Sequence, residues 1–227
     1  MLVDAIILTN SNTEKAIRST KRTMYTLRDS ETDYKFNIHL VESGPDATNE
    51  YKHLVTNYIN PNESFNYNRF INYTLDNLQG EWVIISNNDV GYEKGWFTEI
   101  IKIYNERPDI QSFSPKDPML YMKYYDWHFI DSKNDYFESY LVTEAIVGWC
   151  IVIKKTALDK IIPFDEQFDM YYQDNDYARM IESKGIKHAL VRHSIVTHLN
   201  TASIVKLDKA KMDKMQIDKI KFEKKWG

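Results

Sequence analysis

The chain has 227 residues, a formal net charge of -4 and a single cysteine, Cys150. That length supports a sizeable core in one large domain, the mild acidity excludes a protein that traps nucleic acid by bulk charge, and a lone cysteine excludes an intrachain disulfide or a cysteine-built metal cage. The longest strongly apolar stretch, Ile146 to Ile153, is too short to span a bilayer, and Asp4 interrupts any secretory apolar segment, so the expectation is a soluble, cytoplasmic protein.

Val3 to Thr9 reads as a first strand. Asn12 or Thr13 then caps a helix with Glu14 in its first turn, running to about Leu27. Phe36 to Val41 is a second strand that ends in Glu42-Ser43-Gly44. This strand–helix alternation predicts βαβ units and a parallel sheet, with a carboxylate, Glu42, at a strand's carboxyl end. Asn49 to Tyr58 and Tyr67 to Leu78 read as helices, the latter carrying Arg69 and Asn72, with Gly80 as its C-cap. Trp82 to Asp89 follows, an apolar run of the kind that forms a buried parallel strand, stopping abruptly in Asn87-Asn88-Asp89. In open α/β sheets the carboxyl ends of strands form the ligand crevice, which makes Asp89 a candidate site residue. A strand-end turn explains the same residues.

Trp96 to Arg107 reads as a helix and Pro108 to Glu138 as irregular. The latter holds Tyr121, Tyr124, Tyr125, Trp127 and His128, which suit either a binding lid or a surface contact. Ala145 to Lys154 reads as a strand in which Gly148 marks a bulge or a close backbone approach. A short helix over Thr156 to Ile161 and a helix from about Asn175 to Lys184 follow, with Asp174 at or just before the start of the second. Simple capping accounts for one acidic residue there, less comfortably for both Asp174 and Asp176. His188 to Val196 is a last strand and His198 follows it; a lone histidine is more often structural than a ligand. From Ile204 to Gly227 the chain carries eight lysines against four acidic residues. Its Met212, Met215, Phe222 and Trp226 predict an amphipathic helix packed on the domain.

Taken together, Glu42-Ser43-Gly44, Asn72, Gly80, Ile-Ile-Ser-Asn-Asn-Asp-Val, Gly-Trp-Cys, Phe-Asp-Glu-Gln-Phe, Tyr-Gln-Asp-Asn-Asp-Tyr, Gly185, His198 and the closing Phe-Glu-Lys-Lys-Trp-Gly resemble the family 2 glycosyltransferases. The resemblance implies an α/β GT-A fold, a Rossmann-like, mostly parallel central sheet flanked by helices. Residues 1–203 would form the catalytic domain and residues 204–227 a helical tail on it. A dehydrogenase is excluded by the missing glycine-rich phosphate turn after the first strand.

The resemblance further implies a nucleotide-sugar donor, most commonly a uridine diphosphate sugar, a divalent cation (Mn²⁺ or Mg²⁺), and inverting transfer to an acceptor hydroxyl. Asn87-Asn88-Asp89 lies where the family has its Asp-x-Asp motif, so Asp89 and His198 would be the metal ligands. Asn87 departs from that motif and contributes no charge. Glu42 would recognise the base, with Thr9, Asn10, Asn72, Asn87 and Asn88 as further donor contacts. Asp174 stands at the place of the catalytic base, while Gly148, Trp149 and Gln173 would line the acceptor site. The acceptor is a glycan or a hydroxymethylated base of phage DNA, the basic tail then meeting phosphates. A catalytically silent sugar-nucleotide or glycan-binding module is the alternative, motivated by Asn87 and by Gln173 in place of the usual Glu.

Overall fold

A computed structural model describes residues 1–118, 134–199 and 209–227. The aromatic cluster from Tyr121 to His128, and Ile204 and Leu207 of the tail, lie outside the described residues. Strand β1 (Leu2–Thr9) pairs in parallel with β2 (Lys35–Glu42) on one side and β4 (Trp82–Asn87) on the other, and β2 pairs in parallel with β3 (Asn57–Ile59). Beyond β4 the sheet continues through β8 (Cys150–Lys154), β6 (Ile110–Lys116), β9 (Lys187–His198) and β5 (Val90–Tyr92), while β7 (Tyr136–Glu138) pairs with β9. Strand β8 runs antiparallel to both its neighbours, whereas β6 and β9 are parallel to each other.

Both faces are covered, which is why the central strands need no polar alternation. Val3, Ala5 and Ile7 of β1 face a layer built by Met24 and Leu27 of α1 (Glu14–Asp29) and Phe97 and Ile100 of α4 (Trp96–Glu106). Ile6 and Leu8 face the opposite layer. There Phe70 and Ile71 of α3 (Tyr67–Asn72), Leu158 of α5 (Lys155–Leu158) and Ile181 of α6 (Gln173–Ser183) cover the sheet. Thr13 caps α1 as expected, its hydroxyl accepting from Ala16 N–H. Among the described residues no helix is long and apolar enough to cross a membrane.

Several expected elements differ. The predicted helix over 49–58 shortens to α2 (Thr48–Tyr51), because the chain then meets the open edge of β2. There Thr56 N–H donates to Ile38 O, and the Asn57 amide reaches His39 Nδ1 at 2.9 Å. Helix α3 ends at Asn72, with a separate 3₁₀ turn over Leu75–Asn77. The expected irregular stretch over 108–138 contains β6 and β7. Strand β6 was hidden because Ser112 and Ser114 are buried polar residues: Ser112 Oγ meets Tyr177 Oη and His188 Nδ1, both at 2.7 Å, and Ser114 Oγ accepts from Val147 N–H. The strand expected over 145–154 starts only at Cys150, so Gly148 sits in the loop before it rather than at a bulge.

Gly80 is not a left-handed C-cap. Its N–H donates to Asp4 Oδ2 at 2.5 Å, and a Cβ there would fall 2.9 Å from the Asp4 nitrogen, so the glycine permits close passage of two backbones. The buried Asp4 carboxyl also takes a bond from Gln79 N–H and lies 3.0 Å from His39 Nε2. Burial pushes its pKa up, but the bonds from His39, Gly80 and Gln79 more than reverse this and hold it below the ordinary carboxylate value.

Helix α7 (Lys209–Trp226) carries the tail. Met212 and Met215, expected to pack on the domain, are 47% and 38% exposed; the wholly buried residue of this helix is Asp218. The helix therefore docks through charged and aromatic groups rather than through an apolar stripe.

Candidate active site

The strand-end carboxylate Asp89 and His198 come together because β5, which follows Asp89 directly, pairs antiparallel with β9 and places Val90 opposite His198. The Asp89 carbonyl accepts from Leu199 N–H at 2.7 Å, and His198 Nε2 lies 3.1 Å from Asp89 Oδ1. The imidazole stacks on the indole of Trp149 with ring centroids 5.6 Å apart and an interplanar angle of 15°. Its backbone N–H donates to Asp117 Oδ2 at 3.2 Å. The ring plane and the main chain of His198 are thus both fixed, so its nitrogen is directed at the carboxylate.

This pair suits a divalent cation in its chemistry, one carboxylate oxygen and one imidazole nitrogen 3.1 Å apart. Among the described residues no three His, Cys, Asp or Glu side chains gather to hold a metal. A cation of the Mg²⁺ or Mn²⁺ type bound by one or two protein ligands completes its shell with phosphate oxygens and water, so the residues fit a metal that arrives with a diphosphate.

Two adjoining hollows of about 320 and 300 Å³ share Asn10, Asn88 and Asp89. Thr13, Lys15 and Ser19 of the first turns of α1 complete one; Asn87, Phe65 and Met170 line the other. Asn10 is exposed to the cleft. Thr9, 2% exposed, lines the second hollow and also anchors its neighbours: its hydroxyl lies 2.8 Å from Thr20 Oγ1, and the Asn88 amide donates to both hydroxyls at 2.9 Å. Thr9 thus anchors the Asn88 side chain, and Asn88 in turn sets the turn that presents Asp89.

Glu42 is wholly buried. Its Oε1 accepts from Ser11 N–H at 2.8 Å and Gly44 N–H at 2.6 Å, and its Oε2 has no partner. One oxygen therefore shapes the loops at the ends of β1 and β2, and Glu42, like its unpartnered second oxygen, is buried behind the hollows rather than lining them. Asn72 is placed differently from its expected role. Its amide and carbonyl bracket Phe164 at 2.9 Å in each direction and reach Glu166 Oε1 at 3.2 Å, so it staples α3 to the 164–166 loop and lines neither hollow.

The Gly148–Trp149 pair joins this cleft to Asp174. The Trp149 carbonyl accepts from Asn87 N–H at 2.9 Å, and the Gly148 carbonyl accepts from the Tyr67 hydroxyl at 3.1 Å. A Cβ on Gly148 would lie 3.1 Å from both Cβ and Oδ2 of Asp174, so the backbone passes the carboxyl closely enough that a side chain there would press on it. Asp174 sits in the first turn of α6, where its Oδ1 accepts from Asn175 N–H at 2.9 Å. Burial raises its pKa above the ordinary aspartate value. Gln173 directs its Oε1 inward without a partner, beside a cavity of about 10 Å³ lined by Tyr67, Gly148, Asp174 and Tyr177.

Three solved structures show the same architecture. GalNAc-T7 with UDP, GalNAc and Mn²⁺ superposes at a TM-score of 0.66 and 13% identity over 87% of this chain and 43% of its own. The fold is that of the GT-A glycosyltransferases. The mannosyltransferase PcManGT from Pyrobaculum calidifontis, in complex with GDP-Man and Mn²⁺, gives 0.62 at 14% identity over 87% and 56% of the two chains. TarS of S. aureus (1–349) gives 0.61 at 12% identity over 86% and 59%. The chain thus spans about half the length of these GT-A proteins. No protein-family model and no curated protein matches the sequence.

Two participants were not found by reading the sequence. Asp117, wholly buried at the end of β6, carried the same signal as Asp89, a carboxylate after a strand, but its strand was masked by buried serines. Tyr67, which fixes the Gly148 carbonyl, carried no signal beyond its place in a helix.

Proposed function

We propose that the chain is a metal-dependent, inverting glycosyltransferase that moves a sugar from a nucleoside diphosphate sugar to an acceptor hydroxyl. What carries the reading is that in one dipeptide, Gly148–Trp149, the Trp149 ring stacks on His198, which meets Asp89, and Gly148 abuts the Asp174 carboxyl. In this reading the dipeptide sets a cation site beside His198 and a carboxylate base beside Gly148, the two kinds of group that an in-line displacement at a sugar carbon requires.

In this reading Asn10, Asn88 and Lys15 border the donor, and Glu42 shapes the base pocket through the Ser11 and Gly44 N–H groups it holds. The Trp149 ring holds the His198 imidazole in place. A cation bound at Asp89 and His198 would neutralise charge on the departing diphosphate. Asp174 takes the proton of the acceptor hydroxyl as that oxygen bonds to the anomeric carbon, and the pair of electrons of the broken carbon–oxygen bond leaves on the diphosphate. A carboxyl held out of water is the stronger base for this transfer.

A glycan acceptor is favoured over DNA. Lys214, Lys221 and Lys225 of the tail are paired with Asp169, Asp218, Asp165 and Asp176, which reduces the positive charge left to meet phosphates. Incubation with a panel of uridine and guanosine diphosphate sugars plus Mn²⁺, reading released nucleotide, tests the proposal. Nucleotide binding without release from any donor would favour the silent binding module, for which Asn87 and Gln173 speak.

A further inference from the structure

The charged end of α7 grips the turn that bears Asp174. Trp226 Nε1–H donates to Asp176 Oδ1 at 2.7 Å, and Lys225 Nζ lies 3.0 Å from Asp176 Oδ2 and 2.8 Å from Asp165 Oδ2. Asp176 is wholly buried, so both its oxygens are partnered by the tail in a place where a lone carboxylate would not be tolerated. The Lys225 ammonium also packs on the rings of Phe168 and Trp226, at 5.4 and 5.3 Å from their centroids. Farther along, Lys221 Nζ donates to the Gln167 carbonyl at 2.9 Å, Lys214 Nζ to Asp169 Oδ2 at 2.7 Å, and the Phe222 ring meets that of Tyr172 at 5.4 Å.

Apart from the Lys225–Trp226 contact within the tail, these contacts all fall on residues 165–176, the segment that delivers α6. Tyr172, the residue before α6, has φ of 62°, a left-handed conformation that a tyrosine adopts only when its surroundings hold it. Side chains two positions apart on a helix project about 200° apart. Asp174 is thus pressed against Gly148 on one side of the first turn, while Asp176 is held by Trp226 and Lys225 on the other.

We infer that Trp226 and Lys225 are positioning residues of the transfer reaction: they form a latch, acting through Asp176, that fixes the first turn of α6 and with it the Asp174 carboxyl against Gly148. The latch rests on the reading of Asp174 as the base. It accounts for a tail helix whose inward face is charged and aromatic while its methionines stay exposed.

The test uses the full chain with Trp226→Phe, which keeps the ring and removes the N–H, Lys225→Met and Lys225→Arg. In Trp226→Phe and Lys225→Met, amide hydrogen exchange over residues 170–178 should accelerate about ten-fold or more with the strands of the sheet unchanged. The turnover number should fall about ten-fold or more while nucleotide affinity in Mn²⁺ and donor KM stay within about two-fold, and Lys225→Arg should recover most of the loss. Unchanged exchange over 170–178 overturns the latch whether or not a donor has been found. So does a loss spread over the whole chain's exchange, affinity and KM, which marks a merely structural tail. Asp174→Asn separates the two readings: normal turnover in that variant overturns the base and the latch together, whereas an inactive Asp174→Asn beside a normal Trp226→Phe overturns the latch alone.

Discussion

Replacing Gly148 by alanine probes the junction between the two halves of the site. The new methyl carbon would lie 3.1 Å from both Cβ and Oδ2 of Asp174, against an unstrained carbon–carbon separation of about 3.5–4.0 Å. The neighbour must therefore give by a few tenths of an ångström. The loop is the less free to do so, because the Gly148 carbonyl is held by the Tyr67 hydroxyl and the next carbonyl by Asn87 N–H. The carboxyl of Asp174 yields, and overfilling of this kind costs about 1–3 kcal/mol of stability. Displacing a base by a fraction of an ångström should lower the turnover number about ten- to a hundred-fold. Nucleotide affinity should be kept, since Asp89 and His198 lie on the far side of Trp149. Denaturant unfolding, calorimetric titration with nucleotide and Mn²⁺, and steady-state transfer kinetics measure the three effects. A Gly148→Ala protein with wild-type turnover would show that the carboxyl beside Gly148 takes no part in the reaction.

Three further outcomes follow from the site and the core. Asp174→Asn is nearly isosteric and should leave nucleotide affinity intact while lowering the turnover number by about 10²–10⁴-fold, as loss of a proton acceptor demands; stopped kinetics with intact binding is the signature to look for. Asp89→Ala should abolish the Mn²⁺ dependence of nucleotide binding measured by calorimetry, and full activity of the unaltered protein in excess chelator would contradict a cation at Asp89 and His198. His188 is buried with Nδ1 2.7 Å from Ser112 Oγ and Nε2–H donating to the Ala145 carbonyl at 3.2 Å, and burial pushes its pKa down to about 4. Its neutral form is the native one, so between pH of about 6.5 and 4 the unfolded chain binds a proton that the folded chain does not. The stabilisation is complete above about 6.5 and is lost as pH falls towards 4, roughly 3 kcal/mol in all. Urea midpoints at pH 7 and 5 should fall apart in the wild-type chain and draw closer in His188→Gln, and equal pH dependence in the two proteins would refute the assignment.

The sequence by itself determined the mainly apolar strands and the carboxylates at their ends. Val3 to Thr9, Phe36 to Val41 and the apolar start of Trp82 to Asp89 were legible because a central strand covered on both faces is rich in apolar residues on both, and the polar residues that stop it mark the crevice. Thr13 and Glu14 signalled α1 because a helix start has local chemistry of its own. Where the outcome depended on distant partners, the local pattern misled. Ser112 and Ser114 look like loop residues until Tyr177, His188 and Val147 supply their hydrogen bonds, and residues 56–59 leave the helix only because the edge of β2 is there to receive them. The sequence resemblance marked Asp89, His198 and Asp174 one by one. Only tertiary structure decided that Asp89 and His198 lie 3.1 Å apart, that Asn72 staples α3 to the 164–166 loop, and that a lysine-rich tail turns its charge inward onto Asp165, Asp169 and Asp176. The reason is physical: strand and helix preferences act over a few neighbouring residues, whereas the partner of a buried charge is chosen by whatever the fold brings within about 3 Å of it.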